Sequence, residues 1–437
     1  MGCKANLTDS QTLEARLRAL GGKAVVDASA ADVFVLNTCT VTNEADKEVL
    51  RVLRKQKSPL TVVTGCMAEV DPDRLQKAAA NKENKIVIAR NSAKEELAKS
   101  ITDFLGGVRE KEQQTLQGDR VEWHSYVDYE EGAGIEKEKS ERRTRAFLKV
   151  QDGCNAYCSY CIIPRARGKS RSISAVEIIK EVQKLVDAGF KEIVLTAIHA
   201  ADYSDGEIGF TELVEKVLKE TKISRLRLTS LDPAEIPDRL IDLMATNARL
   251  CPHFHVSLQS GSTAVLSAMK RAYDADLSEK CLNTIADKLP HAFVGMDIIA
   301  GFPGETEESF FESYELLQRA PWSKLHVFPF SIRNGTHAAK LVEMGLAVDS
   351  RKIQERARLL RELSEKRMQE ALNKKIGSVM EILVEEKAYT FGSRTCSQGH
   401  SRSYHKVLIP GKREPNSFVR VKILGVAEKE FLKGEVI

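Results

Sequence analysis

Apolar positions in this chain follow two different periods, and the changes between them mark its parts. Near the amino terminus, short β-branched runs at Ala31 to Thr38, Leu60 to Thr64 and Lys85 to Ala89 alternate with stretches of helical spacing. A run of that length is a buried strand, and apolar residues every three or four positions are one face of a helix. The helices also carry start signals. Asn43 is placed to cap one that runs to about Gln56, and Asp71 with Pro72 supplies an N-cap and a first-turn proline for another. Strands alternating with helices imply a parallel sheet. Residues 1–108 are therefore expected to form a doubly wound α/β domain.

The pattern stops over residues 109–144, where Gly132 and Gly134 and the runs Glu136 to Lys139 and Arg142 to Arg145 predict a charged, solvated linker. Its Trp123, Tyr126 and Tyr129 offer either a stacking surface for RNA bases or an anchor on a domain surface. Alternation then resumes through Ala146 to Val150, Glu192 to Thr196, Arg225 to Thr229, His255 to Gln259, Met296 to Ala300 and Leu325 to Phe330. Ser174 and Glu177 make a capping box before the first helix. Six such units predict an open six-unit (β/α) barrel with its chemistry at the carboxyl ends of the strands. Ile353, Ala357, Leu360 and Leu363 extend it by a trailing helix, so this domain spans 145–375. From 376 to 437 the period falls to two, in Val379 to Val384, Lys406 to Ile409 and Val419 to Ile423. A small all-β barrel is expected there.

Composition narrows the setting. The chain has 437 residues, 42% hydrophobic and 29% charged, enough for several domains with real cores. No run approaches the roughly 18 apolar residues of a membrane span, so no membrane partner is expected. The start lacks a signal-peptide pattern. Nine cysteines without such a signal point to a reducing cytoplasm and to metal ligation rather than disulfides. A net charge of only +4 means that any RNA contact must come from local basic patches.

Three cysteines, Cys154, Cys158 and Cys161, lie within eight residues behind a predicted strand. Thiolates are soft donors suited to zinc or to iron–sulfur clusters. Zinc sites usually close with a second ligand pair, and the next cysteine is Cys251. Three thiolates on one loop would hold three irons of a cubane and leave the fourth open. Cys3, Cys39 and Cys66 are scattered, but Cys39 and Cys66 each follow a strand directly, which sets both at one edge of a parallel sheet. Spacing alone allows these three to converge on a second centre or to be ordinary buried thiols.

The pattern CxxxCxφC, with Tyr160 before the last cysteine, resembles the radical S-adenosylmethionine (SAM) enzymes. In that superfamily the open iron chelates SAM, and reduction of the cluster cleaves SAM to a 5′-deoxyadenosyl radical. The wider stretch VQDGCNAYCSYCIIPRARGKSRS (Val150 to Ser172) resembles the methylthiotransferases. Gly2 to Asn6, Asn37 to Thr42 and Gly65-Cys66 are similar to that family's three amino-terminal cysteine motifs, which hold an auxiliary cluster. HFHVSLQSGS (His253 to Ser262), DIIAGFPGET (Asp297 to Thr306) and HVFPFSIRNGTHAA (His326 to Ala339) resemble its strand ends. Tyr160, Thr196, Ser257, Gln259 and Gly301 are thereby implied near SAM, with Gly301 and Gly304 allowing backbone to approach a ligand. The carboxyl-terminal segment resembles the TRAM domain, a tRNA-binding module. Arg394, His400, Arg402, His405, Lys406, Lys412 and Arg413, mixed with Phe391 and Tyr404, would suit phosphates and stacked bases. Departures are Ala197 for a usual glycine, Ile173 for a frequent arginine, and a first motif that begins at Gly2 where the family has a preceding strand.

The resemblance implies two [4Fe-4S] clusters and SAM, the first cluster on Cys154, Cys158 and Cys161 and the auxiliary one on Cys3, Cys39 and Cys66. It implies methylthiolation at carbon 2 of an adenosine at position 37 of tRNA, in the anticodon stem-loop, with an electron donor and a sulfur donor as further partners. The first motif, Val150 to Cys154 and His326 to Phe330 are most like the branch acting on N6-threonylcarbamoyladenosine. The alternatives are the isopentenyladenosine branch, the branch modifying a ribosomal-protein aspartate, and a metal-stabilised RNA-binding protein.

Overall fold

Apolar runs near the amino terminus pair side by side. β1 (Val33–Thr38), β2 (Leu60–Gly65), β3 (Lys85–Ala89) and β4 (Gln114–Leu116) make one parallel sheet in that order. Strand side chains alternate between faces, so the sheet buries two sets. Leu36, Val63, Ile86 and Ile88 pack with Val49, Leu50 and Leu53 of α2 (Asn43–Lys55), Met67 of α3 (Cys66–Val70) and Leu75 of α4 (Pro72–Ala79). Val62, Val87 and Ala89 face the other way, against Leu97, Ile101 and Phe104 of α5 (Leu97–Leu105) and Leu13 and Leu17 of α1 (Lys4–Ala19).

Both faces are covered as expected of a doubly wound domain, but the strand order runs straight across with no reversal. Three details differ from the sequence reading. The N-cap of α2 is Thr42, one residue before Asn43, because the threonine hydroxyl accepts the Ala45 N–H. α1 was not anticipated, since its buried residues include Asn6 and Thr8 and blur the apolar stripe. β4 falls within the stretch read as linker and adds the fourth strand.

The computed structural model describes residues 2–80, 84–94, 96–106, 114–116, 144–228, 230–391, 394–428 and 430–437. Trp123, Tyr126 and Tyr129 lie outside these. The chain divides into two units, Met1–Ala133 with Gln151–Arg171 and Ser331–Thr336, and Gly134–Val150 with Ser172–Phe330 and His337–Ile437. The boundary expected at 145 is thus not where the chain divides: the Cys154 loop belongs to the amino-terminal unit. That loop comprises β6 (Gln151–Asp152), α6 (Ile163–Arg167) and the start of β7 (Arg171–Ser172), and α6 packs on α3.

The second unit carries two parallel sheets. β5 (Arg145–Lys149), β8 (Glu192–Thr196) and β9 (Arg225–Arg227) form one. β10 (Ser230–Leu231), β11 (His253–Gln259), β12 (Phe293–Ala300) and β13 (Lys324–Pro329) form the other. Helices fill the connections: α7 (Ala175–Asp187), α8 (Phe210–Glu220), α9 (Asp238–Thr246), α10 (Thr263–Ala268), α11 (Ala275–Lys288), α12 (Glu307–Arg319) and α13 (His337–Leu341). Ser174 caps α7 by accepting the Glu177 N–H, as its sequence predicts.

α14 (Ser350–Asn373) leads into a closed antiparallel and parallel barrel of β14 (Val379–Phe391), β15 (Arg394–Ser401), β16 (Lys406–Pro410), β17 (Phe418–Glu428) and β18 (Phe431–Val436). Closure removes the exposed strand edges that a small sheet would leave. Its core of Ile382, Val384, Val407, Ile409, Val421, Ile423 and Leu432 continues into Met368 and Leu372 of α14.

The hairpin between β15 and β16 is not a solvent-facing basic patch. Tyr404 stacks on His253 and His400 with Arg227 over its ring, His400 and His405 are buried, and Arg402 donates to the Leu250 carbonyl. Lys406 pairs with Glu430. Arg402 and Tyr404 dock the small barrel on the rest of this unit, through Arg227 of β9, the Leu250 carbonyl and His253 of β11. Tyr404 is thus half-buried in a packed contact within this unit. Lys412 and Arg413 remain exposed.

Candidate metal centre

Three backbone segments converge at the carboxyl edge of the amino-terminal sheet. Cys3 is the N-cap residue of α1, Cys39 follows β1, and Cys66 opens α3 directly after β2. Side-chain amides and hydroxyls tie the segments together. Asn6 Nδ2 donates to the Thr38 carbonyl at 2.9 Å, and Asn37 Nδ2 donates to the Asn6 carbonyl at 2.8 Å. Thr38 Oγ1 donates to the Thr64 carbonyl at 2.6 Å and accepts the Met67 N–H at 3.1 Å, an otherwise unpaired donor at the start of α3. Each motif thus supplies the hydrogen bonds of the next. The structure brings together the three cysteines that sequence spacing left open.

Their thiols feel one another. Burial pushes Cys39 up to about 11, with Cys66 and Cys3 adding to it. Cys66 is also raised by burial, opposed by the charges of Arg167 and Lys94. Buried neutral thiols release protons when a metal binds them as thiolates. Asn37 Oδ1, Thr64 Oγ1 and Arg167 Nε are buried with no hydrogen-bond partner among the described residues. Such atoms beside three convergent cysteines fit a buried polar group such as an iron–sulfur cluster.

The second triplet is built on the loop between β6 and α6. Gly153 holds φ +74, and an added Cβ would lie 2.6 Å from the Lys169 carbonyl carbon and closer to its oxygen, so glycine is required there. Cys154 N–H donates to the Gly168 carbonyl, and the Cys154 sulfur accepts the Ala156 N–H at 3.4 Å. Tyr157 adopts φ +47, and Cys161 N–H closes a turn on the Cys158 carbonyl at 3.0 Å. Cys158, Tyr160 and Cys161 are half-buried. Three cysteines outside any disulfide on one tight loop, with no fourth cysteine nearby in sequence, fit a cubane with an open iron.

Two buried arginines brace the unit, and the sequence reading named neither. Arg167 Nη1 contacts both Asp152 oxygens at 2.9 and 3.0 Å, and its Nη2 reaches Asp9 Oδ2 at 3.0 Å and Asn6 Oδ1. Arg333 Nη1 pairs with Asp46 at 2.7 Å and donates to the Thr40 carbonyl, beside Cys39. A lone arginine in RARG or IRNG reads as a surface charge. Only the carboxylates folded around it show otherwise.

In the second unit, Thr196 ends β8, buried, with its carbonyl accepting the Val150 N–H at 2.9 Å. Ser257 and Gln259 share the half-buried face of β11, and Gln259 takes φ +62 at a register shift against β12. Gly301 follows β12 with φ +79, but its close neighbour is Ile353 of α14, whose Cδ1 would lie 3.0 Å from an added Cβ. Its constraint is helix packing, and Gly304 faces open space. Polar side chains that the sequence reading gave no role line this sheet, where His255 pairs with Asp297 at 2.9 Å and stacks on His326, while His199, in the loop after β8, pairs with Glu235 at 2.6 Å.

Residues 148–317 match the model of the Radical SAM superfamily, and residues 1–88 match that of the Uncharacterized protein family UPF0004. The chain is 35% identical over 433 residues to the threonylcarbamoyladenosine tRNA methylthiotransferase MtaB of Aquifex aeolicus, covering 97% of this chain and 98% of that protein. It is 31% identical over 428 residues to the tRNA-2-methylthio-N(6)-dimethylallyladenosine synthase of Syntrophomonas wolfei, covering 94% and 91%. Among solved structures it resembles the radical SAM methyltransferase TsrM of Kitasatospora setae, with a TM-score of 0.52 at 16% identity over 68% of this chain and 62% of that one. At that identity the likeness concerns the fold.

Proposed function

The chain belongs to the radical SAM tRNA methylthiotransferases, and we propose how its residues divide that work. It adds a methylthio group to carbon 2 of N6-threonylcarbamoyladenosine at position 37 of tRNA, using SAM and two [4Fe-4S] clusters. Cys154, Cys158 and Cys161 hold the SAM-cleaving cluster, and Cys3, Cys39 and Cys66 hold the auxiliary one. The convergence of Cys3, Cys39 and Cys66 around Thr38 is the observation that carries this division. When bound, SAM and the clusters supply a radical able to activate an unreactive carbon–hydrogen bond and a sulfur to place there.

The protein's part is orientation and exclusion of water. The asparagine and threonine bonds hold the three auxiliary cysteines on fixed backbone, and Gly153 lets the other loop turn without strain. The six strand-and-helix units of the second unit are read as an open (β/α) barrel, with Thr196, Ser257, Gln259 and Gly301, and Tyr160 on the cluster loop, contacting SAM. The closed carboxyl-terminal barrel takes the anticodon stem-loop through exposed charges such as Lys412 and Arg413. An electron donor and a sulfur donor complete the reaction. Among the described residues no helix is long and apolar enough to cross a membrane, and a cytoplasmic setting suits tRNA and reduced thiols.

The test is mass spectrometry of tRNA nucleosides after anaerobic reaction of the reconstituted protein. Methylthio-threonylcarbamoyladenosine is the expected product. Methylthio-isopentenyladenosine instead would move the chain to the neighbouring branch. A Cys3→Ala, Cys39→Ala, Cys66→Ala variant should still form 5′-deoxyadenosine and no methylthio product. Full product from that variant would end the division of labour.

A further inference from the structure

We propose that Arg167 is a positioning residue for the auxiliary centre, its buried guanidinium offsetting the negative charge of the cluster and holding its reduction potential up. The inference rests on the reading that Cys3, Cys39 and Cys66 carry an iron–sulfur cluster. Arg167 sits at the end of α6, on the loop that carries the other cysteine triplet, and it joins Asp152 of that loop to Asn6 and Asp9 of α1, beside the auxiliary trio. Its side chain is 2% exposed. Nη2 bonds Asn6 Oδ1, and Cys66 Sγ lies 4.0 Å from that same oxygen. The guanidinium charge opposes the rise that burial imposes on Cys66.

The donors are allotted unequally. Nη1 and Nη2 are taken by Asp152, Asp9 and Asn6, whereas Nε is buried with no partner among the described residues. The guanidinium also lies within hydrogen-bonding reach of Cys66, and its leftover buried N–H is a donor that a cluster or thiolate sulfur would accept. Hydrogen bonds to sulfur and net local charge are the protein's main controls on cluster potential. Locally the protein charges balance: Arg167 and Lys94 against Asp9 and Asp152, with Lys94 on Asp9 at 2.7 Å. Removing the arginine leaves an uncompensated carboxylate, which disfavours the more negative reduced cluster. Removing a carboxylate does the reverse. A purely structural brace would show no such opposition of sign.

The experiment uses the full chain with Cys154, Cys158 and Cys161 all changed to alanine, so that only the auxiliary centre is loaded. Iron is counted after anaerobic reconstitution, and the one-electron couple is followed by potentiometry with electron paramagnetic resonance. Arg167→Gln should keep its iron but show a roughly tenfold lower reduced-to-oxidised ratio at a fixed potential, about 59 mV for one electron. Arg167→Lys should recover most of this. Asp9→Asn, isosteric and carrying one negative charge fewer, should shift the ratio upward. If Arg167→Gln fails to load, the sign of the Asp9→Asn shift decides. An unchanged ratio in Arg167→Gln, or in Asp9→Asn where that variant decides, overturns the proposal. A background chain that binds no iron would instead overturn the auxiliary-cluster reading beneath it.

Discussion

Gly65 lies against Thr38 so closely that a methyl group on it would sit 2.5 Å from the Thr38 nitrogen and nearer still to the Thr38 carbonyl oxygen. The same methyl would stand 2.5 Å from Asn37 Oδ1, and the residue holds φ +98. This contact lets the Cys66 segment approach the Cys39 segment. Gly65→Ala should therefore strain the backbone by about 1–3 kcal/mol and push the two segments apart. The expected outcome is a reconstituted protein with roughly half its iron, all of it on the Cys154 loop. Iron analysis beside a thermal melt checks this. A Gly65→Ala chain with full iron and an unchanged melt would mean that the edge adapts.

In the second unit, Glu192 is wholly buried and forks with Arg227, Nε to Oε1 at 2.8 Å and Nη2 to Oε2 at 3.3 Å. Burial alone would raise the Glu192 carboxyl, but Arg227, Arg145 and Arg225 hold it below its ordinary value. Arg227→Met removes the hydrogen-bonded partner of that charge, leaving only the more distant Arg145 and Arg225, and also loses the bond to the Arg402 carbonyl. Breaking one side of a buried pair costs about 3–5 kcal/mol. Adding Glu192→Gln should restore a good part of the loss in chemical denaturation. If the double variant is no better than the single, the cost lies in packing.

Acid should weaken the carboxyl-terminal barrel in two steps. Burial, helped by Lys375, lowers His405 to about 3, so the folded state refuses a proton that the unfolded chain accepts. Stability from this group is complete above about pH 6.5 and declines as pH falls toward 3, by about 1.4 kcal/mol per pH unit. Burial would raise Glu385, but the hydrogen bond from His400 and the Arg145 charge hold it down to about 2, so its contribution is lost between about pH 4.5 and 2. Melts of the apo chain at pH 7.5 and 5 should show a drop that shrinks in His405→Gln. Equal drops in both proteins would count against His405 as the source.

Tyr404 and the exposed charges should separate cleanly. Tyr404→Ala should cost about 3 kcal/mol of stability and leave the salt dependence of tRNA binding alone, because its ring packs between His253 and His400 beneath Arg227. Reversing Lys412 and Arg413 to glutamate should weaken binding and flatten the slope of log affinity against log salt by about 1 to 2. Binding measured across a salt series reads both. A steep slope that survives the double reversal would place the phosphate contacts elsewhere.

What was legible in the chain was what depends on neighbours in sequence. Strand runs such as Leu60 to Thr64 and the cap and proline at Asp71-Pro72 declared themselves through period and local hydrogen bonding. The Cys154, Cys158 and Cys161 spacing did so too, because one loop must present all three thiols. The carboxyl-terminal barrel was readable from its alternation for the same reason. Long-range pairings belonged to the tertiary structure. α1 was hidden because its inward face is partly polar, with Asn6 satisfied by Thr38, a partner 32 residues away. Arg167 and Tyr404 look alike in sequence as candidates for a wet surface. Folding brings two carboxylates to one, which buries it, and two imidazoles and a guanidinium to the other, which half-buries it. Gly301 carries φ +79 as a glycine there suggests, but only the packing of α14 reveals that Ile353 is what it makes room for. Local periodicity reports which residues turn inward, and it is silent on what they meet there, since that depends on segments the chain brings back from far away.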